Sequence, residues 1–82
     1  MYRARIYITL KPTVLDAQGA VVEKALHSLG YTTVGDMRIG KYVEARVDGG
    51  HRDQVENQVR EMCDRLLANP VIEDFRFELE EA

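Results

Sequence analysis

The chain has 82 residues with a formal net charge of −3, and 45% of its side chains are hydrophobic and 30% charged. That length sets one small domain with a thin core, and the acidic balance argues against a sequence-independent nucleic-acid binder, which needs a basic stripe. No apolar run approaches the roughly 20 residues that span a bilayer, and Met1 leads straight into Arg3 and Arg5, so neither a signal peptide nor a membrane partner is expected.

Residues 2 to 10 alternate cleanly. Tyr2, Ala4, Ile6, Ile8 and Leu10 share one face and Arg3, Arg5, Tyr7 and Thr9 the other, the period of a half-buried strand. Lys11-Pro12-Thr13 ends it, because proline lacks a ladder donor and restricts its predecessor. A helix follows, capped by the Asp16 carboxylate, with Val22, Ala25, Leu26 and Leu29 at helical spacing and Gly30 as its stop. Gly19 in its first turn costs about 1 kcal/mol relative to alanine. Either the backbone approaches another element or a partner closely there, or a helix-start glycine is simply tolerated.

The segment from Val34 to Asp48 is the longest with strand character. Met37, Ile39, Val43, Ala45 and Val47 alternate with Asp36, Arg38, Tyr42, Glu44 and Arg46, but Lys41 falls in phase with the apolar set just after Gly40. A hairpin turning at Gly40-Lys41 mixes apolar and polar residues on one face, and a three-residue loop wants glycine where Tyr42 stands. One continuous strand bent at Gly40 needs neither concession and is the favoured reading. Fifteen extended residues reach roughly 50 Å, against a diameter of about 30 Å for a compact chain of this size. Such a strand overhangs its own domain and leaves Val43, Ala45 and Val47 to be covered by a second copy, most simply across a two-fold axis.

Gly49-Gly50-His51-Arg52 is a turn, and Asp53 is the expected cap of a second helix, with Glu56 reaching back to it. Val55, Val59, Met62, Cys63, Leu66 and Leu67 form its apolar stripe, and Asn69-Pro70 stops it. A last strand runs from about Val71 to Glu80, with Phe75, Phe77 and Leu79 alternating against charged residues. The expected fold is α+β over residues 1–82. It is a two-layer sandwich, strand-helix-long strand-helix-strand, with both helices on one face of a small antiparallel sheet. It is related to the ferredoxin-like arrangement and extended by oligomerisation.

Chemistry-bearing patterns are sparse. There is no phosphate loop, no Gly-x-Gly-x-x-Gly and no Cys-x-x-Cys. His27 and His51 stand alone, and Cys63 sits in the apolar stripe as a small core hydrophobe without a basic neighbour to free its thiolate. A single cysteine forms no internal disulfide, which suits a reducing cytoplasm. The C-terminal Glu78, Glu80 and Glu81 read as a solvated sheet edge. No catalytic, cofactor-binding or metal-ligating residue is expected. Two stretches stand out as candidate partner contacts: Arg38, Gly40, Lys41 and Tyr42 in the middle segment, and Lys11, Asp16 and Gly19 at the start of the first helix. Arginine and tyrosine are enriched at interfaces. An anion site at that helix start is disfavoured because the Asp16 carboxylate already fills it.

These same stretches carry a resemblance that runs nearly end to end. Leu10-Lys11-Pro12, Val14-Leu15-Asp16, Gln18-Gly19, Ala25-Leu26-His27-Ser28-Leu29-Gly30-Tyr31, Arg38-Ile39-Gly40-Lys41-Tyr42 with Glu44, Met62-Cys63, Leu66-Leu67-Ala68-Asn69 and Ile72-Glu73-Asp74-Phe75 occur in the order and spacing of the PurS family. PurS is the small subunit of multi-subunit phosphoribosylformylglycinamidine (FGAM) synthase. Ala17, where family members often have proline, and Pro70 are local departures. The resemblance implies a non-catalytic oligomer, a homodimer or a dimer of dimers. It would join an ATP- and Mg-using synthetase subunit (PurL) to a glutaminase subunit (PurQ) and assist ammonia transfer in purine synthesis. The competing class is a dimeric ferredoxin-like module that binds a small regulatory ligand.

Overall fold

In the computed structural model, which describes residues 1–81, strand β1 (Tyr2–Leu10) is the axis of a three-stranded antiparallel sheet of order β2-β1-β3, where β2 is Lys41–Val47 and β3 is Glu73–Glu81. Ala82, the last residue of the expected domain, lies outside the described residues. The register follows from the period-2 pattern. Ala4 faces Ala45 and Leu79, and Ile6 faces Val43 and Phe77, so three apolar rows fall on one side of the sheet.

Helix α2 (Arg52–Met62) lies across that side. Val55, Val59 and Cys63 meet Ala4, Ile6 and Ile8, and all six are at most 1% exposed. Phe75, Phe77, Leu79, Tyr2, Val43 and Leu67 pack around this cluster as half-buried neighbours. The start of α2 differs from expectation. His51 is the residue before the helix, with no side-chain cap, and Asp53 sits inside the first turn. There its charge still favours the exposed N–H groups of the helix end. The end of the stripe differs too. Residues Cys63–Leu67 form one π turn, closed by Ala68 N–H donating to Cys63 O at 2.9 Å. A π turn inserts one residue into the helical phase, so Leu67 turns inward while Leu66 is 83% exposed.

Helix α1 (Ala17–Ser28) behaves otherwise. Asp16 caps it as expected, accepting from Gly19 N at 2.7 Å. Gly30, at φ 102°, closes it by a pair of bonds, Gly30 N to His27 O and Tyr31 N to Leu26 O, both 3.0 Å. No α1 residue joins the buried cluster or packs on it. The helix instead lies along residues 34–40: Glu23 accepts from Met37 N at 3.0 Å, and the His27 ring bonds Val34 O at 2.6 Å. Of the two helices expected over one face, only α2 therefore covers the sheet's core.

The expected continuous strand Val34–Asp48 is paired only over Lys41–Val47. No hairpin forms at Gly40, since residues 34–40 pair with no strand of the chain. Pairing with β2 stops at Lys41 opposite Ile8, two residues short of the end of β1 at Leu10. Gly40 still lies against Ile8 and Thr9, and residues 37 and 39 bond instead to Glu23 and Asp16. The outcome is an arm of α1 and residues 34–40. The molecule measures 51 × 27 × 14 Å with a radius of gyration of 16.2 Å, against about 12 Å for a compact chain of this length. The overhang that length alone required is present, although its strand pairing is not made within one chain.

Candidate functional site

Where the arm leaves the sheet, one carboxylate ties the first turn of α1 to residue 39. Asp16 is 6% exposed; its Oδ1 accepts from Gly19 N and its Oδ2 from Ile39 N, each at 2.7 Å. These two amide donors, the Gly19 bond foremost, together with the charge of Arg38, hold the Asp16 carboxyl below its ordinary pKa. Arg38 bridges the same junction from outside, donating from Nη2 to Lys11 O and to Val14 O at 3.0 Å each. Gly19 has no room for a side chain. A Cβ there would lie 2.9 Å from Asp16 Oδ2 and closer still to Met37 O. The close approach suspected at Gly19 is thus to another part of the same chain.

Gly40 is pressed against the end of β1, where a Cβ would meet Ile8 O at 2.5 Å. Lys41 then resolves its odd phase by reaching along the apolar face. Its Nζ lies 3.6 Å from Glu73 Oε2 and 3.5 Å from Leu67 O. Between the arm and the sheet end opens a cleft of about 320 Å³, lined by Ile8, Leu10, Asp16, Gln18, Ile39, Lys41 and Glu73 among others. The Lys41–Glu73 pair, exposed on the lysine side and half-buried on the glutamate side, is long at 3.6 Å and contributes little to stability by itself. It does place one charge of each sign at the mouth of the cleft.

Tyr42 points to the opposite face. Its ring centroid is 5.1 Å from that of Tyr7, whose far side carries the Arg76 guanidinium 3.9 Å from the ring centroid. The Tyr42 hydroxyl donates to Glu44 at 2.9 Å, and partial burial together with that carboxylate raises its pKa. Arg5 and Glu80 pair at 2.7 Å on the same face, which raises the Arg5 pKa.

Of the seven candidate contact residues, Lys11, Asp16, Gly19 and Arg38 meet at the arm junction, Gly40 and Lys41 line the adjoining cleft, and Tyr42 lies across the sheet from them. Of the candidate oligomer residues, Val47 is buried within the chain, whereas Val43 and Ala45 remain half-exposed. Sequence reasoning missed Glu73, Glu23 and the Tyr7–Arg76 stack. Each depends on strand register or arm direction, and for Glu73 the only available signal was the opposite charge needed by Lys41. Among the described residues, no three His, Cys, Asp or Glu side chains gather as a metal site, and no helix is long and apolar enough to cross a membrane.

The geometry defines a small α+β domain with a protruding arm of α1 and the unpaired residues 34–40, pinned by a buried carboxylate. Residues 3–81 match the family model described as PurS, phosphoribosylformylglycinamidine (FGAM) synthase. The chain is 52% identical over 81 residues to the Bacillus subtilis FGAM synthase subunit PurS, covering 99% of this chain and 95% of that one. It is 46% identical over 78 residues to the Synechocystis subunit, covering 95% and 78%. Solved structures agree: Bacillus subtilis PurS superposes with a TM-score of 0.90 at 52% identity, covering 99% and 100%. Methanocaldococcus jannaschii PurS gives 0.90 at 35% identity, covering 100% and 99%. The chain belongs to the PurS family.

Proposed function

We propose that this chain is the small, non-catalytic subunit of an FGAM synthase of the multi-subunit kind. In that role it joins the synthetase subunit to the glutaminase subunit and assists the passage of ammonia between them. The observation that carries this reading is the 52% identity with the Bacillus subtilis PurS subunit across 99% of the chain. A chain of this fold also occurs in the Thermotoga maritima structure called PurLQS, at a TM-score of 0.89 and 24% identity, which supports the fold alone.

The physical reasoning is that free ammonia at neutral pH is protonated by water and ceases to be a nucleophile, so a closed path between two active sites preserves it. A subunit in that position needs surfaces rather than an active site, and this chain offers several. The arm junction presents Arg38, Gly40 and Lys41 on one side, and Tyr42 with its Tyr7–Arg76 stack on the other. ATP and Mg belong, on this reading, to the synthetase, this chain binds no cofactor, and the complex works in the cytoplasm.

Co-expression with the synthetase and glutaminase of the same genome tests the assembly. The expected result is a single species in size-exclusion chromatography containing all three chains when glutamine and ATP–Mg are present. Elution of this chain apart from both partners under those conditions contradicts the proposal.

A further inference from the structure

One carboxylate of this chain is enclosed without being closely paired. Of the five ion pairs among the described residues, four join side chains at least 34% exposed on both sides, whereas the Glu73 side chain is 16% exposed. Its Oε1 is held by Asn69 N at 2.7 Å. Its Oε2 has only Lys41 Nζ at 3.6 Å, beyond the roughly 2.7–3.2 Å of a well-formed N–H···O bond. Lys41 is served no better, since its other contact, Leu67 O, lies at 3.5 Å. An enclosed charge costs stability unless a partner satisfies it. A cation and an anion thus stand side by side with bonding capacity unused.

Both line the cleft of about 320 Å³ between the arm and the sheet end. That volume lies at the lower end of the about 300–1,000 Å³ of small-molecule pockets. Much of its lining is apolar: Ile8 is buried, and Leu10 and Ile39 are half-buried. Asp16 lines it too, but both of its oxygens already accept backbone N–H groups at 2.7 Å. Ile39 and Asp16 belong to the arm side, and Ile8, Leu10 and Glu73 to the sheet, so a molecule in the cleft touches both.

We propose that this cleft binds a free α-amino acid with an uncharged side chain. The α-ammonium donates to Glu73 Oε2, the α-carboxylate accepts from Lys41 Nζ, and the side chain lies against Ile8, Leu10 and Ile39. Spacing, charge and surface each select this ligand. By standard bond lengths and angles, the nitrogen and the nearer carboxylate oxygen of an α-amino acid are about 2.7 Å apart. They match the 3.6 Å between the Lys41 and Glu73 atoms closely enough for two charge-assisted bonds side by side. A lone cation at Glu73 meets the like charge of Lys41, and a lone anion at Lys41 meets that of Glu73, whereas a zwitterion finds an opposite charge at each end. The apolar lining then disfavours a charged side chain. The groove of about 390 Å³ beside α2 offers no such pair, because its Glu61 and Arg65 already bond at 2.9 Å. The proposal is independent of the enzyme complex assigned above.

Titration of the isotope-labelled full chain with L-leucine, followed by amide NMR, tests it. The expected result is a set of saturable shifts centred on the residues lining the cleft, from β1, the start of α1, residues 39–41 and Glu73. Lys41→Met keeps the stem and removes the charge, and Glu73→Gln keeps the shape and the acceptor for Asn69 N. Each is expected to leave the far-UV circular dichroism unchanged while weakening binding by about tenfold or more. N-acetyl-L-leucine and L-leucinamide, which each lack one of the two charges, are expected to bind the unmodified chain more weakly by a similar factor. Absence of saturable shifts up to the solubility limit of L-leucine overturns the proposal and leaves a bridging water as the only guest between Lys41 and Glu73. Shifts centred elsewhere, or equal binding by either variant or of either blocked amino acid, overturn it as well.

Discussion

Replacing Gly19 by alanine sets two effects of opposite sign against each other. In an unobstructed helix the change gains about 0.8–1.0 kcal/mol of helix propensity. Here the added methyl would sit 2.9 Å from Asp16 Oδ2 and 3.0 Å from its Cγ, and closer still to the Met37 carbonyl. Both neighbours are fixed: the carboxylate by two amide donors and the carbonyl by the backbone of the arm. Relief requires moving α1 away from residues 37–39, and overpacking of this kind costs about 1–3 kcal/mol. Since the clash involves backbone, the upper half of that range applies, leaving a net loss of about 1–2 kcal/mol. Urea unfolding at fixed protein concentration measures it, with Gly35→Ala as the control because nothing lies within 4 Å of a Cβ there. A Gly19→Ala variant as stable as the unmodified chain, or more so, refutes the close approach of α1 to the arm.

Further outcomes follow from the same geometry. Ile6→Ala empties a 0%-exposed position at the centre of the sheet and is expected to cost about 2–5 kcal/mol, measured by the same unfolding experiment. Leu66→Ala, displaced outward by the π turn, should change the stability of the isolated chain by less than about 0.5 kcal/mol, and a larger loss would place Leu66 in the core after all. The Asp16 carboxyl has a folded pKa below its unfolded one, so its contribution is full above the unfolded value and fades as pH falls through the folded value. Asp16→Asn should therefore lose stability at neutral pH and show a shallower acid limb than the unmodified chain, and parallel acid limbs would exclude this role. Burial pushes the Cys63 thiol up, with Asp64 adding to it. Its reaction with an aromatic disulfide reagent should be slow in the native protein and fast in urea, whereas rapid native labelling contradicts its placement under α2.

How far the sequence carried the reading depends on what each element packs against. β1, β3 and α2 were legible because they pack on one another within one chain, so a period of 2 or 3.6 reports burial directly. The middle segment was harder. Its alternation from Met37 to Val47 is real, but residues 34–38 lie beyond the end of β1 at Leu10, and the Ile39 N–H is taken by Asp16 rather than by a strand. The position of α1 was likewise invisible, because an apolar stripe says that a helix is covered without saying by what. Asp16 and Gly19 gave the strongest local signals at the junction, a cap residue and a costly glycine, and both met in the same contact. The cap at Asp53 and the inward place of Leu66 failed for local reasons: a helix start shifted toward His51, and a π turn that no period reveals. For function, composition excluded more than it assigned, and the ordered motifs over nearly the whole chain carried the family.

The bridging role is tested most directly by reconstituting FGAM synthesis from purified synthetase and glutaminase with and without this chain, using glutamine or high ammonium as the nitrogen source. The expected result is glutamine-dependent synthesis only when this chain is present, with ammonium-dependent synthesis persisting in part without it. Equal glutamine-dependent rates in its presence and absence would contradict the account.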